Sequence, residues 1–198
     1  MRRSELKELH YITTIENIPS ILRRGILSHK RSQKIDHISI AASEIKDRRA
    51  KVTVPGGKLL HEYANLYICG RNPMLYKRKA RHESIAVLKV SPDILDLPGV
   101  IVTDMNAAAA NLYVSFRAAP EGLRIVDREL TFAEYWTDAN EVQYFRKKSA
   151  KCAEVLVLDS VDPKYITGCY VSCEQTRARV AEIAPGLSTT VDTHLFFL

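Results

Sequence analysis

Glu154 stands at the head of an apolar run, Val155-Leu156-Val157-Leu158, directly behind a basic stretch that holds Arg146, Lys147, Lys148 and Lys151. The run is aliphatic and rich in β-branched residues, and it reads as a buried strand. Burying a carboxylate there costs roughly several kcal/mol unless it is paired or hydrogen-bonded. Held away from water, it could accept a proton from an attacking group or stabilise positive charge developing beside it. The plainer reading is an edge-strand glutamate that faces water or pairs with Lys151 or Arg146. Far upstream, Asp47-Arg48-Arg49-Ala50-Lys51 offers guanidinium groups, whose forked donors suit anionic oxygens. For any one residue of that segment a solvated helix face is the plainer reading. A further basic cluster, Lys77, Arg78, Lys79 and Arg81, and the stretch with Arg146, Lys147 and Lys148 would attract a phosphate backbone with a salt-dependent strength.

The elements that must position these residues follow from local patterns. His10–Thr14 reads as a short strand, with Tyr11 and Thr13 on one face and His10 and Ile12 on the other. Asn17–Gly25 reads as a helix, with Asn17 near the N-cap, Pro19 in the first turn and Gly25 as the left-handed stop. Ser39–Ala50 is helical in pattern, and Val52–Gly57 is extended and then turns. Gly56-Gly57 with basic neighbours could hold phosphate, yet the chain has no P-loop or GxGxxG pattern. Leu66–Cys69, Ser84–Val90, Val100–Asp104 and Thr167–Ser172 read as strands. Pro73-Met74-Leu75-Tyr76 offers thioether and aromatic surface to a flat ring, or simply packs at a turn. A helix is expected to start at Ala107–Ala110, a loop over Arg117–Ile125, and helices over Phe132–Tyr144 and Gln175–Ile183. Pro163 is expected to end the Glu154 strand, and the tail 189–198 to pack as a strand.

These pieces imply one α+β domain spanning the 198 residues, with no internal repeats and no linker. Hydrophobic residues make up 46% and charged residues 26% of the chain, a globular composition. No apolar run is long enough to span a membrane, and the N-terminus lacks the apolar core of a secretory signal. Cys69, Cys152, Cys169 and Cys173 lie in apolar stretches without CxxC spacing, which points to reduced structural thiols, a cytoplasmic location and no metal site. The net charge of +6 makes nucleic acid a plausible partner without requiring one.

Several blocks resemble the DarT family of bacterial toxins, which ADP-ribosylate bases in DNA. In chain order they are Tyr11-Ile12-Thr13, Glu16 to Leu27, Asp47-Arg48-Arg49-Ala50, Val54-Pro55-Gly56-Gly57, Arg71 to Tyr76, Thr103 to Ala108 and Cys152 to Val157. The resemblance runs from about residue 9 to residue 172. It implies an ADP-ribosyltransferase-like fold, a split and mostly antiparallel sheet with flanking helices, with NAD held between the halves and no metal. It also implies that Glu154 is the catalytic glutamate and Arg49 the essential arginine, with Arg48 the neighbouring alternative. Tyr11, Thr13 and Asn17 then belong to the NAD motif, and Met74 and Tyr76 flank the nicotinamide.

Breaking the nicotinamide glycosidic bond builds positive charge on the ribose, which a nearby carboxylate would stabilise. Single-stranded DNA is the implied partner, because a base inside a duplex is stacked out of reach. A second implied partner is an antitoxin that removes ADP-ribose, of macrodomain type or a similar hydrolase. Thymidine-modifying members usually read Tyr-His-Ile-Thr-His where this chain reads His10-Tyr11-Ile12-Thr13-Thr14. That departure leans the expectation towards the guanine-modifying branch. An ADP-ribosyltransferase acting on RNA or protein, and a non-catalytic nucleic-acid-binding module, stay open as alternatives.

Overall fold

The computed structural model describes residues 1–109 and 113–198. Its strands are β1 (Leu9–Thr14), β2 (Ile26–Leu27), β3 (Tyr63–Tyr67), β4 (Ile85–Val90), β5 (Ile101–Thr103), β6 (Phe116–Ala118), β7 (Glu154–Leu158), β8 (Ser160–Val161), β9 (Ile166–Val171) and β10 (Thr189–Val191). The helices are α1 (Ile18–Arg24), α2 (His29–Ser32), α3 (Ser43–Arg49), α4 (Pro73–Tyr76), α5 (Arg128–Phe132), α6 (Glu141–Ala150) and α7 (Glu174–Ile183).

Eight strands form one sheet in the order β10-β9-β4-β1-β3-β7-β5-β6, while β2 and β8 pair separately. Every pairing in the large sheet is antiparallel except β9 with β10. The expected split is visible in the register. β1 pairs with β4 along its whole length, from Leu9↔Val90 to Thr14↔Ile85, but with β3 only at His10↔Tyr67. Beyond that one pair the two halves part, and a cleft opens between them.

Strand alternation then decides which side chains face the cleft. Val155 and Val157 join the main apolar core with Ala64, Leu66, Ala86 and Leu88. Leu156 lies on the opposite face, in a smaller cluster with Val54, Leu60 and Tyr63. Glu154 shares the parity of Leu156 and sits directly across from Tyr67. Tyr67 belongs to yet another cluster on that face, with Ile12, Leu75 and Ile85. Glu154 therefore lies on the face opposite the main core, where two small apolar clusters meet.

Local chemistry sets the element ends. Gly25 takes φ +83° after α1, and a Cβ there would come within 2.2 Å of the Val161 carbonyl oxygen, so the stop that swings the chain into β2 requires glycine. β7 ends at Leu158 because Asp159 adopts φ 62°, well before Pro163, which the sequence had suggested as its stop. The helix expected over Phe132–Tyr144 divides instead. Asp127 caps α5 by accepting from the Leu130 amide, and Asn140 caps α6 by accepting from the Gln143 amide, leaving residues 133–140, with Trp136, outside helix. The basic run from Arg146 to Lys148 accordingly lies on α6.

Other boundaries also move. Only Ser43–Arg49 of the expected Ser39–Ala50 helix is helical, and the expected loop Arg117–Ile125 contains part of β6 and a 3-10 turn. Ala107 and Ala108 form a turn, because the side-chain oxygen of Asn106 accepts from the Ala108 amide at 2.8 Å; Ala110, the end of the helix start expected there, lies outside the described residues. In the tail only Thr189–Val191 is strand; Leu195 and Phe196 are buried beyond it.

Candidate active site

The cleft between the sheet halves holds a cavity of about 620 Å³. Its floor comes from β1 and β3, one wall from α3, and the opposite wall from α4 and α6. Six cationic side chains line it, Lys46, Arg48, Arg49, Lys77, Arg78 and Lys148, and no Asp or Glu stands among the lining residues. Such a cavity favours an anionic ligand.

Arg49 ends α3, on the same face as Ile45 and one turn from it, and both reach the cavity. Its Nη1 donates to both carboxylate oxygens of Glu154, at 3.1 Å to Oε1 and 2.9 Å to Oε2. The Glu154 side chain is fully buried and that of Arg49 is 13% exposed. The Ala107 amide adds a bond to Oε1 at 3.3 Å, while the Glu154 amide donates to Thr103 Oγ1 at 3.1 Å. The plainer pairings do not form. Lys151 is almost wholly buried, but its Nζ donates to the carbonyls of Thr131 and Ala133, and Arg146 is exposed on α6. Arg48 also lines the cavity, but its Nε donates to the Glu44 carbonyl at 3.4 Å, and Arg49 is the arginine that meets the glutamate.

Two polar atoms on the cavity wall have no partner in the protein among the described residues: Arg49 Nη2 and Ser149 Oγ, both buried. A buried donor without a partner is costly, so both mark places where a bound molecule would complete the bonding. Tyr67, opposite Glu154, donates its hydroxyl to the Met74 sulfur at 2.9 Å. Burial, and then the Glu154 charge, holds that phenol well above its usual range, so it stays protonated as a donor. The same two causes push the Cys152 thiol to about 12, which removes it as a nucleophile.

The other sequence candidates divide. Tyr11 and Thr13 line the cavity, and so does Ile12 from the other face of β1, because beyond His10 the strand no longer pairs with β3 and that edge lies open to the cleft. Asn17 lines it too, although not as the side-chain cap that its position suggested. Its side chain donates to Thr13 Oγ1 at 3.1 Å and to the Ile38 carbonyl at 2.9 Å, and accepts from the Ile38 amide at 3.0 Å. Asn17 thereby clamps the segment before α3, and Arg78 grips it from the other side through the Ile40 carbonyl.

Met74 and Lys77 line the cavity, but Tyr76 does not, since residues two apart on a helical turn point to different sides. Lys79, Arg81, Arg146 and Lys147 lie outside the lining, with Lys147 paired to Asp138 at 2.7 Å, while Lys148 reaches the cavity from α6. Thr14, the second residue of the histidine departure, is buried and does not reach the cavity; Tyr11, the first, does.

Sequence reasoning missed His29 and His61. Both line the cavity, and their rings lie 4.3 Å apart at 55°. No local pattern joins a residue at the start of α2 to one just before β3, so only the fold reveals the pair. Burial lowers His29, helped by His61, Lys46, His37 and Arg49; burial also lowers His61, against a hydrogen bond to Lys46 and with Arg49 adding to the lowering.

The folded chain therefore binds these protons less readily than the unfolded chain, whose histidines titrate near 6.5. Above that pH both states carry neutral rings and nothing is gained or lost. As pH falls below it towards the lowered folded values, the unfolded state is protonated first and stability drops. Thermal melting across this window should fall more gently with acid in a His29→Gln, His61→Gln double variant than in the parent. Parallel slopes would mean that the pair does not titrate as its surroundings dictate.

The family model described as ssDNA thymidine ADP-ribosyltransferase, DarT, matches residues 10–196. A DNA ADP-ribosyl transferase-DNA ADP-ribosyl glycohydrolase fusion protein of Thermosipho africanus is 31% identical over 97% of the chain, and the chain spans about half (50%) of that protein's length. A solved structure of Thermus sp. 2.9 DarT in complex with ADP-ribosylated ssDNA superposes with a TM-score of 0.83, at 26% identity over 97% of each chain. The same Thermus protein in complex with NAD+ gives a TM-score of 0.78 at 28% identity, over 97% of this chain and 98% of that one. Among the described residues no helix is long and apolar enough to cross a membrane.

Proposed function

The chain belongs to the DarT family, and from that membership we propose that it is an NAD-dependent transferase that places ADP-ribose on a base of single-stranded DNA, as a single domain and in the cytoplasm. One observation carries the reading: a fully buried glutamate is held by Nη1 of an arginine whose Nη2, without a partner among the described residues, lies at the wall of a cation-lined cavity. NAD supplies the ADP-ribosyl group when bound. The residues fit it, since about 620 Å³ lies within the roughly 300–1,000 Å³ of small-molecule sites and the lining lacks any carboxylate that would repel a pyrophosphate. Arg49 Nη2 and the lysines of the cavity would hold its anionic oxygens. Tyr11, Thr13 and Met74 shape the walls, and Asn17 keeps the covering segment in place. Glu154 is fully buried behind the lining, paired across the sheet with the cavity residue Tyr67. With the ligand bound, its carboxylate would stabilise the positive charge that develops on the sugar and accept the proton of the attacking base.

The relative fused to a glycohydrolase supports a toxin whose partner is an antitoxin hydrolase that removes the mark. For the base, guanine is favoured, because Tyr11 occupies the cavity position where thymidine-modifying members usually carry a histidine. The family description, which names thymidine, supports the second reading. A site built for one hydrogen-bonding edge leaves polar groups unpaired against the other, so one pocket should not serve both bases well. Mass spectrometry after incubation with NAD should find ADP-ribose on single-stranded oligonucleotides that lack thymine and none on those that lack guanine. Modification of the guanine-free set alone would transfer the assignment to thymine.

A further inference from the structure

We propose that Tyr76, Trp136 and Phe197 form a stacking platform for the nucleotides that flank the target base, with Lys79 set to meet their phosphates. The inference rests on the reading that single-stranded DNA is the substrate. The three rings come from separate parts of the chain and meet edge-on at the surface. Tyr76 lies 5.5 Å from Trp136 and 5.1 Å from Phe197, and Trp136 lies 5.9 Å from Phe197, all with near-perpendicular planes. Tyr76 is 42% exposed and the neighbouring Tyr135 is 69% exposed, while Trp136 and Phe197 are half-buried.

The cluster adjoins the cavity. Tyr76 ends α4, between Met74 and the C-cap residue Lys77, both of which line the cavity. The segment carrying Trp136 is tied through Asp138 to Lys147 on α6, next to the cavity residue Lys148. Its charge is suited to a polyanion. Lys79 Nζ sits 4.7 Å over the Tyr76 ring, and the Arg71 guanidinium 3.9 Å over Phe197. Arg71 is itself paired with Glu134 at 2.9 Å, so those two charges offset each other, and Lys79 supplies the positive charge that would meet a phosphate.

The platform is also fixed. Arg71 binds the His194 carbonyl at 2.6 Å and so anchors the tail in which Phe197 adopts φ 65°, a backbone conformation that a bulky side chain rarely takes. Exposed rings beside lysines are what sequence-tolerant binding of single strands uses, because every base offers a face to stack, whereas bases in a duplex are already stacked.

Trp136 is the only tryptophan of the chain, so its fluorescence reports this surface directly. Single-stranded oligonucleotides should quench it, and an abasic strand of equal length and charge should not. Tyr76→Ala should raise the KM for oligonucleotide by about tenfold or more while leaving the KM for NAD unchanged, and Tyr76→Phe should restore it. Lys79→Glu, a surface change with little bearing on folding, should weaken oligonucleotide binding and flatten its salt dependence. Equal quenching by the abasic strand, or an unchanged oligonucleotide KM in Tyr76→Ala and Lys79→Glu, would overturn the platform even though the parent chain modifies DNA. Variants that keep oligonucleotide binding but lose association with a glycohydrolase partner would make the surface a protein interface, against the proposal. A parent chain that modifies no oligonucleotide at all would instead remove the substrate reading on which the platform rests.

Discussion

Glu154→Gln is expected to remove transfer to DNA, by about 10²–10³-fold or more, while the chain stays folded and still binds NAD. The amide keeps the size and one acceptor oxygen of the carboxylate, so the Ala107 amide and Arg49 Nη1 retain a partner. What it loses is the negative charge beside the reacting sugar and the ability to take a proton. Both variants leave the Arg49 charge without its counter-ion, a loss worth about 3–5 kcal/mol for a buried pair. Glu154→Ala should be equally inactive and the less stable of the two, because it also removes the acceptor that Arg49 Nη1 and the Ala107 amide share. Arg49 keeps some access to solvent, 13% of its side chain, so the realised cost falls towards the lower end of that range. The measurement is oligonucleotide modification by mass spectrometry alongside NAD titration and thermal melting of each variant. A glutamine variant that modified DNA at near the parental rate would strip Glu154 of the catalytic role.

How much of this site could be read from the chain depended on the range of each interaction. Glu154 was legible because a lone charge heading an apolar strand breaks the hydrophobic pattern, and its burial in β7 follows that strand's central place between β3 and β5. Its partner was not legible from local pattern. Arg49 lies 105 residues away on a short helix whose composition reads as a solvated face, and only the family resemblance singled it out.

Short-range rules gave mixed results for the same reason. The strand at residues 10–14 and the Gly25 stop are set by local sterics and came out as expected. The spacing of Asn17 suggests a side-chain cap, but the segment at Ile38 takes that side chain instead. One turn carries both Met74 and Tyr76 and suggests a shared role, yet α4 directs Met74 into the cavity and leaves Tyr76 on the surface beside it. His29 and His61 become neighbours only once the short segments around them are packed.

Arg49→Lys is expected to cost about 10- to 100-fold in transfer even though the positive charge is kept. Arg49 uses a single nitrogen, Nη1, for both oxygens of Glu154 and leaves Nη2 buried and unpaired beside the cavity. A guanidinium can therefore hold the carboxylate and a ligand oxygen at once, in fixed directions. An ammonium is one compact charge on a flexible stem; it can meet Glu154 or the ligand but cannot aim two donors from one rigid plane. The loss should fall on kcat and on the KM for NAD together, since the same group orients the glutamate and contacts the ligand. Arg48→Lys serves as the comparison: Arg48 is exposed and lines the cavity, but its Nε donates to the Glu44 carbonyl and it does not meet Glu154, so a lysine there keeps the cavity's charge and should retain activity within about twofold. Steady-state kinetics with NAD and a defined single-stranded oligonucleotide test both. Parental kinetics in Arg49→Lys, with a loss in Arg48→Lys instead, would make the contact between Arg49 and Glu154 a packing feature and move the ligand contact to the neighbouring arginine.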